Sequence, residues 1–213
     1  MIPTYLINLD RSTDRLRSMQ EQLERLNIPF ERIAAVDGSN LEPSSSVTFK
    51  VGNAIPICGR SLTNGEIGCS MSHLTAYKRI VEAGHPFALI LEDDLWLPPH
   101  TRSLVEELIE WNRPQKWDIV LLHHMNSAFR KFSSKKVNRR IRLVQFKRSA
   151  ASSAGYIVSL ETAQRLLSLG QPIRMPADKL TGDKSVNKMK ICGILCSPFT
   201  NSGFPTTIQS RPE

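Results

Sequence analysis

The sequence of 213 residues contains no apolar run that approaches the roughly 20 residues required by a membrane-spanning helix. Its first ten residues, MIPTYLINLD, also lack the basic start and the longer apolar stretch of a secretory signal. We therefore expect a soluble, cytoplasmic protein. With 40% hydrophobic residues the chain can bury one core of good size, and we expect residues 1–213 to form a single domain.

Cysteine is also scarce. The four cysteines, Cys58, Cys69, Cys192 and Cys196, form no C-x-x-C pair, and no His-x-x-x-His pair accompanies them, so a structural zinc site is not expected. If the segment ICGILC is a strand, Cys192 and Cys196 lie about 13 Å apart on one face, which is too far for a disulfide. We expect free thiols in a reducing compartment.

Acidic residues are absent from Ile119 to Leu160, although the whole chain has 20 of them. Nine of the 28 basic residues lie in this stretch, so the net charge of +8 is concentrated here. Such a segment, 129–148, predicts contact with a polyanion, whether nucleic acid, anionic lipid headgroups or a phosphorylated substrate, and a solvated loop is the alternative. No RNA-binding signature accompanies it, and no nucleic-acid partner is expected. The residues expected to dock are Arg130, Lys131, Lys135, Lys136, Arg139 and Arg140.

Short β-rich runs alternate with stretches of helical spacing along the chain. Strands are predicted at 4–9, 30–36, 86–91, 117–123 and 154–160, and helices at 13–26, 64–83, 101–111 and 161–169, with Asn64 as a candidate cap. Residues 38–63 are rich in Ser, Pro, Gly and Asn and predict a long surface loop. This alternation favours an α/β/α sandwich around a mostly parallel central sheet.

Three adjacent carboxylates, Glu92, Asp93 and Asp94, follow the apolar strand PFALIL. Ligands of open α/β sheets bind beyond the carboxyl ends of the strands. Adjacent acids repel one another unless a cation or several donors offset their charge, and Mg²⁺ and Mn²⁺ favour carboxylate oxygens. If the strand geometry continues, Glu92 and Asp94 point one way and Asp93 the other. The alternative is a solvated acidic turn.

Six separated segments occur in a fixed order between about residues 2 and 180. They are INLDRSTDR, AAVDG, LTNGEIGCSMSHLTAYKRIVE, ALILEDD, SSAGYIVSLETAQRLL and PADKL. As a set they resemble glycosyltransferase family 25, the lipooligosaccharide galactosyltransferase-type enzymes. The resemblance implies a GT-A-like, Rossmann-type hexosyltransferase that depends on Mn²⁺ or Mg²⁺ and moves galactose from UDP-galactose, with inversion. It implies a phosphorylated, lipid-linked lipopolysaccharide acceptor and peripheral contact with the anionic inner face of the inner membrane.

The same resemblance implies the roles of individual residues. The expected contacts to the UDP-sugar donor are Asn8, Arg11, Asp14, Arg15, Asp37, His73, Glu92, Asp93, Gly155 and Tyr156. Asp94 is the expected first metal ligand, together with Glu92. Asp178 is the leading candidate for the general base that an inverting transfer requires, followed by Glu66 and Asp183. An ordinary helix start, a capped helix and simple packing are the structural alternatives at these positions.

Two other functions stay open at the level of sequence. A metal-dependent nucleotidyltransferase also uses acidic sites on a Rossmann-like sheet, but it normally carries a Gly-rich phosphate loop with a nearby Lys, which is absent near the start of this sequence. The other is a basic module that binds nucleic acid or a lipid surface and has no transferase activity.

Overall fold

The computed structural model describes residues 2–41, 49–113, 116–125, 128–150 and 152–205. The strands are β1 Thr4–Asn8, β2 Glu31–Ala34, β3 Phe87–Glu92, β4 Leu95–Trp96, β5 Ile119–Leu121, β6 Lys135–Lys136, β7 Arg142–Gln145, β8 Gly155–Ser159, β9 Ile191–Ile194 and β10 Thr200–Asn201. The helices are α1 Thr13–Arg25, α2 Ile55–Cys58, α3 Asn64–Ala83, α4 Thr101–Trp111, α5 Leu160–Leu169, α6 Ala177–Gly182 and α7 Lys184–Asn187.

Eight strands form the main sheet, in the order β2-β1-β3-β8-β5-β9-β7-β6. Strand β1 is parallel to β2 and β3, and β5 is parallel to β9. Strands β8 and β7 run against their neighbours, so six of the eight strands point in one direction. The expectation of a mostly parallel sheet is confirmed, with two reversed strands. A separate antiparallel pair joins β4 to β10.

Helices cover both faces of this sheet because its central strands are apolar on both sides. Ala88 and Ile90 of β3 belong to the core formed with α3 and α5, whereas Leu89 and Leu91 belong to the core formed with α1 and α4. All four side chains are fully buried. The alternation follows from the two-residue period of a strand and confirms the α/β/α sandwich.

The start of α3 is fixed by a capping box. The Thr63 hydroxyl accepts a hydrogen bond from the Glu66 amide, and the Glu66 carboxylate accepts one from the Thr63 amide. The expected cap at Asn64 was therefore wrong by one residue. Gly84, at φ 66°, ends the helix.

Parts of the expected loop 38–63, and parts of residues 171–205, are more ordered than the composition indicates. A 3₁₀ turn occupies Gly38–Asn40 and α2 occupies Ile55–Cys58, while residues 42–48 lie outside the described part of the chain. Helices α6 and α7 span only six and four residues, which is too short for a hydrophobic period to show.

The four cysteines are free, as expected. Strand β9 ends before Cys196, which is exposed and lies at φ 54°, so the strand geometry assumed for Cys192 and Cys196 does not reach the second thiol. Among the described helices, none is long and apolar enough to cross a membrane.

Candidate functional site

The three carboxylates lie where β3 ends, in the middle of the sheet, between β1 and β8. Two adjoining clefts meet there. The first cleft opens over the ends of β1 and β2 and is lined by Asn8, Arg11, Arg15, Asp37, His73 and Asp93, among others. The second cleft is lined by Glu66, His123, Ser152, Ser153, Asp178 and Asn201, among others. Three residues, Cys69, Glu92 and Asp94, line both clefts.

Asp93 is held by two buried partners. Nη1 of Arg15 lies 2.7 Å from Oδ1 of Asp93, and Nδ2 of Asn8 donates to Oδ2 at 2.7 Å. All three residues are buried. Since each carboxylate oxygen already has a strong donor, Asp93 joins the acidic turn to β1 and α1 and is poorly placed to bind a cation.

Asp94 has an unsatisfied oxygen. Among the described residues, its buried Oδ1 has no hydrogen-bond partner. Burial and the charge of Glu92 raise the pKa of Asp94 to about 6, although Arg15, 4.0 Å away, partly offsets this. A buried acceptor without a donor, next to a second carboxylate, fits a hard divalent cation such as Mn²⁺ or Mg²⁺.

Glu92 has a lowered pKa although it is partly buried. Burial would raise its pKa, but the hydrogen bonds from His73 and Ser153 outweigh this and leave the pKa below its usual value. Oε1 of Glu92 lies 3.1 Å from Nε2 of His73 and accepts from the Ser153 hydroxyl at 2.7 Å. Glu92 and Asp94 thus present the acidic side of the junction, while Asp93 turns toward Arg15.

Tyr156 is a hydrogen-bond partner of His73. Its hydroxyl lies 2.7 Å from Nδ1 of His73 and 2.7 Å from the hydroxyl of Tyr77, and all three rings are buried. Tyr156 lines neither cleft, so the expected direct contact with a donor is not found; the residue orients His73 instead.

Gly155 is a packing residue. A Cβ at this position would lie 2.6 Å from Cδ2 of Leu95, the first residue after the acidic turn. The missing side chain lets Leu95 sit against β8, and Gly155 lines neither cleft. The expectation that Gly155 forms a wall of the sugar pocket is therefore not met.

The residues around the start of α1 divide into two groups. Arg11 forms an ion pair with Asp37, and both line the first cleft with Asn8. Asp14 does not join them: its side chain is 82% exposed and lies 3.8 Å from Arg17 on the outer face of the helix. Asp14 is thus an ordinary acidic residue of a first helical turn, and the expected donor contact is not found there.

The segment that carries Asp37 packs closely against α3. The Val36 amide donates to the Ser72 hydroxyl at 2.9 Å, and a Cβ at Gly68 would lie 2.5 Å from the Val36 carbonyl oxygen. Glycine at position 68 therefore permits the close approach that fixes Asp37 at the cleft. Sequence reasoning missed both Gly68 and Ser72, although they lie four residues apart on one helix face.

Glu66 and Asp178 both line the second cleft, but their surroundings differ. Glu66 takes part in the capping box and also accepts from Arg60 at 2.6 and 2.8 Å. Asp178 lies in the first turn of α6, immediately after the bend at Pro176. Asp183, the third acid considered, caps α7 through the Ser185 amide and pairs with Lys179 at 3.2 Å.

The basic segment lies at the far edge of the sheet. Strand β6 is five positions from β3, about 24 Å at roughly 4.8 Å per strand. Its lysines are exposed, and Phe132, at φ 57° between Lys131 and Ser133, is fully exposed. The other exposed basic residues of the segment are Arg130, Lys131, Arg139, Arg140, Arg142, Lys147 and Arg148.

Cys69 is the site residue that sequence reasoning missed most clearly. A donor atom of Cys69, one of His73 and one of Glu92 all lie within 4.8 Å of one another. Cys69 and His73 are four residues apart on α3, so the helical spacing was a usable signal, whereas Glu92 comes from another element.

Known proteins resemble this chain over most of its length. The model of glycosyltransferase family 25 (LPS biosynthesis protein) matches residues 1–181. Procollagen galactosyltransferase 1 of Danio rerio is 31% identical over 183 residues, which cover 82% of this chain and 30% of that protein. The probable inactive glycosyltransferase 25 family member 3 of Bos taurus is 30% identical over 190 residues, with the same two coverages.

The chain thus spans about 30% of the length of these curated relatives. Among solved structures, a glycosyltransferase involved in the glycosylation of the major capsid of PBCV-1 is 12% identical, with a TM-score of 0.39, over 80% of this chain and 66% of that one. The family match covers most of the sequence and includes both the acidic turn and Asp178, and on that ground the chain belongs to glycosyltransferase family 25.

Proposed function

We propose that this chain is a metal-dependent, inverting hexosyltransferase that uses UDP-galactose. The observation that carries the proposal is the buried Oδ1 of Asp94, which has no hydrogen-bond partner in the described part of the chain and lies beside Glu92, at the junction of two clefts and at the carboxyl end of β3. A sugar nucleotide on one side and an acceptor on the other would meet there.

Asp94 and Glu92 would hold the cation, Mn²⁺ or Mg²⁺, which when bound supplies positive charge for the diphosphate that leaves as UDP. The residues fit this ion because both are carboxylates and, within the ranges that the structure describes, Oδ1 of Asp94 has no other partner. Asp93 is a structural residue in this proposal, since Arg15 and Asn8 already occupy its oxygens.

The first cleft would take the nucleotide part of the donor. Arg11 and Asp37 lie at its rim as an ion pair, and the end of β1 with Asn8 forms its floor. This is the place where nucleotides bind in open α/β sheets. His73 contacts the same cleft, and its orientation is fixed by Tyr156 and Glu92.

The second cleft would take the acceptor. Asp178 lines it and is our choice for the general base that removes the proton from the attacking hydroxyl. Glu66 is less suited to that role because its carboxylate is committed to Arg60 and to the start of α3.

Galactose is proposed as the sugar because relatives of this chain are named procollagen galactosyltransferases. For the acceptor we propose a lipooligosaccharide or lipopolysaccharide glycan, in keeping with the description of the family. The exposed basic segment with Phe132 would dock the anionic, lipid-linked acceptor or the inner membrane surface on which it lies.

The test is a transfer assay with a panel of UDP-sugars and glycan acceptors terminated by galactose or glucose, with and without Mn²⁺. We expect transfer from UDP-galactose only when the metal is present, and a rise in melting temperature with UDP-galactose and Mn²⁺ together. Transfer that is unaffected by a chelator would contradict the metal, and binding of UDP-galactose without transfer to any acceptor would place the chain with its relatives described as inactive.

A further inference from the structure

We infer that Cys69, His73 and Glu92 form a binding site for a thiophilic divalent cation of the zinc class, which shares Glu92 with the proposed site at Asp94 and Glu92 and differs from it in the other ligands. The donor atoms of the three residues lie within 4.8 Å of one another. A tetrahedral zinc site with bonds of about 2.0–2.3 Å has ligand atoms about 3.5 Å apart, so the group requires only a small contraction.

One of the three distances between these donor atoms is already short. Nε2 of His73 lies 3.1 Å from Oε1 of Glu92, a separation typical of two ligands on one ion. Cys69 lies one helical turn before His73, and it is partly exposed at the junction of the two clefts. An ion can therefore reach the site from either cleft.

The ring nitrogen of His73 that would not bind the ion has a hydrogen-bond partner, as it usually does in a metal-bound histidine. Nδ1 of His73 faces the Tyr156 hydroxyl, which in turn faces the Tyr77 hydroxyl. With an ion on Nε2, the neutral ring would carry its proton on Nδ1 and donate it to Tyr156, which would then donate to Tyr77. The ring keeps its proton count by changing tautomer, and the Cys69 thiol releases one proton to solvent as the sulfur binds.

Sulfur and imidazole select a different metal from the carboxylate pair. Zinc-class ions favour thiolate and imidazole, whereas Mn²⁺ and Mg²⁺ favour oxygen. Because Glu92 belongs to both groups, the two kinds of ion compete. The consequence that zinc inhibits sugar transfer rests on the proposed function, whereas the binding of the ion does not.

Co²⁺ alone is the probe for the site, because a cobalt-thiolate bond gives a near-ultraviolet charge-transfer absorption. The full chain, in a buffer with a reductant that contains no thiol, is titrated with Co²⁺. We expect the absorption to saturate at one ion per chain and to disappear on addition of Zn²⁺, which binds such sites more tightly. Absence of the absorption in the unaltered chain would overturn the inference.

Variants at the cysteines test which sulfur atom binds the cobalt ion. Cys69→Ser should abolish the absorption, while the double variant Cys58→Ser/Cys196→Ser should keep it; the opposite result for either one would overturn the site. The double variant also decides the case if Cys69→Ser does not fold. Tyr156→Phe should weaken Co²⁺ binding by about 10- to 100-fold, because it removes the hydrogen-bond partner of His73.

Two further measurements separate this inference from the proposed function. Asp94→Asn should lose Mn²⁺-dependent transfer but keep the cobalt absorption, since Asp94 is not among the three ligands. In the transfer assay, half inhibition of the Cys69→Ser variant should require at least about tenfold more Zn²⁺ than half inhibition of the unaltered chain. Each protein is compared with its own activity in the absence of Zn²⁺. If the unaltered chain shows the cobalt absorption but transfers no sugar, the proposed function is contradicted and the cation site is still supported.

Discussion

Arg15 and Asp93, which are 78 residues apart in the chain, form a buried ion pair with 2.7 Å between Nη1 and Oδ1. The pair ties the first helix to the end of the central strand. It also decides which of the three acids stays available: Asp93 is neutralised, while Asp94 and Glu92, which line both clefts, are not held by an ion pair of this kind.

The first prediction concerns this ion pair. Arg15→Met should lower the free energy of unfolding by about 3 kcal/mol, because Asp93 would be left buried without its cation. Arg17→Met is the matched control, since Arg17 pairs with Asp14 at the surface and should change stability by less than about 0.5 kcal/mol. Urea unfolding measures both, and equal effects would contradict a structural role for the buried pair.

The second prediction concerns the pH dependence of the metal-free protein. Burial raises the pKa of Asp94 to about 6, above its value in the unfolded chain. The folded state therefore binds more protons between about pH 4 and 6, and this group lowers stability as pH rises through that window. Asp94→Asn removes the effect, so the variant should be more stable at pH 7.5 by up to about 2 kcal/mol.

This gain should vanish below about pH 3, where Asp94 is protonated in both states. Thermal melts across pH in the presence of a chelator test the sign. Mn²⁺ should then stabilise the unaltered chain more than Asp94→Asn. A variant that is less stable than the unaltered chain at pH 7.5 would show that Oδ1 has a favourable partner in solution.

The third prediction concerns the general base. Asp178→Asn should lower kcat by about 10²- to 10⁴-fold and leave the affinity for UDP-galactose unchanged, because Asp178 lines the second cleft only. Asp183→Asn is the control: it weakens the cap of α7 and should lower stability by about 1 kcal/mol without a comparable loss of kcat. A loss of kcat in the control that matches Asp178→Asn would remove the assignment.

The fourth prediction tests Gly155 as a packing residue. Gly155→Ala should destabilise the chain by about 1–3 kcal/mol, since the new methyl group overlaps Leu95. In a Leu95→Ala background the same change should cost much less, because the space has been vacated. Denaturant unfolding of the four proteins gives the coupling energy, and purely additive effects would show that the two residues do not compete for space.

The fifth prediction concerns the basic segment. The double variant Lys135→Gln/Lys136→Gln should bind anionic vesicles about thirtyfold more weakly, because each lysine contributes about 1 kcal/mol to binding. Co-sedimentation with the vesicles measures the affinity. The control Arg17→Gln/Lys78→Gln removes the same charge from exposed positions elsewhere and should have little effect. Added salt should weaken binding of the unaltered chain, and equal losses in both double variants would point to net charge alone.

Long periodic elements could be predicted from the sequence, whereas contacts between distant residues could not. Helix α4 was predicted at residues 101–111 and is found there, because Leu104, Val105 and Leu108 show the helical period directly. The partner of Asp93 was not foreseeable, since Arg15 lies 78 residues away and nothing local marks the pair.

The candidate site shows the same division. The acidic turn was predicted from its place after a buried strand, and Asn8, Arg11, Asp37 and His73 do lie at the clefts with it. The donor contacts predicted for Asp14 and Gly155 were wrong because a position in a family motif does not say which way a side chain points. Cys69 was missed because one of its neighbours comes from another element.

Strand β10 closes the acidic turn, and this has a consequence for the order of events during synthesis. The Ser202 amide donates to the carbonyl of Asp94, β10 pairs with β4, and Arg15 donates to the carbonyl of Pro205. About a hundred residues separate the turn from this cover, which is on the order of ten seconds of translation. The nascent chain therefore carries its acidic turn uncovered until the strand that closes it has left the ribosome.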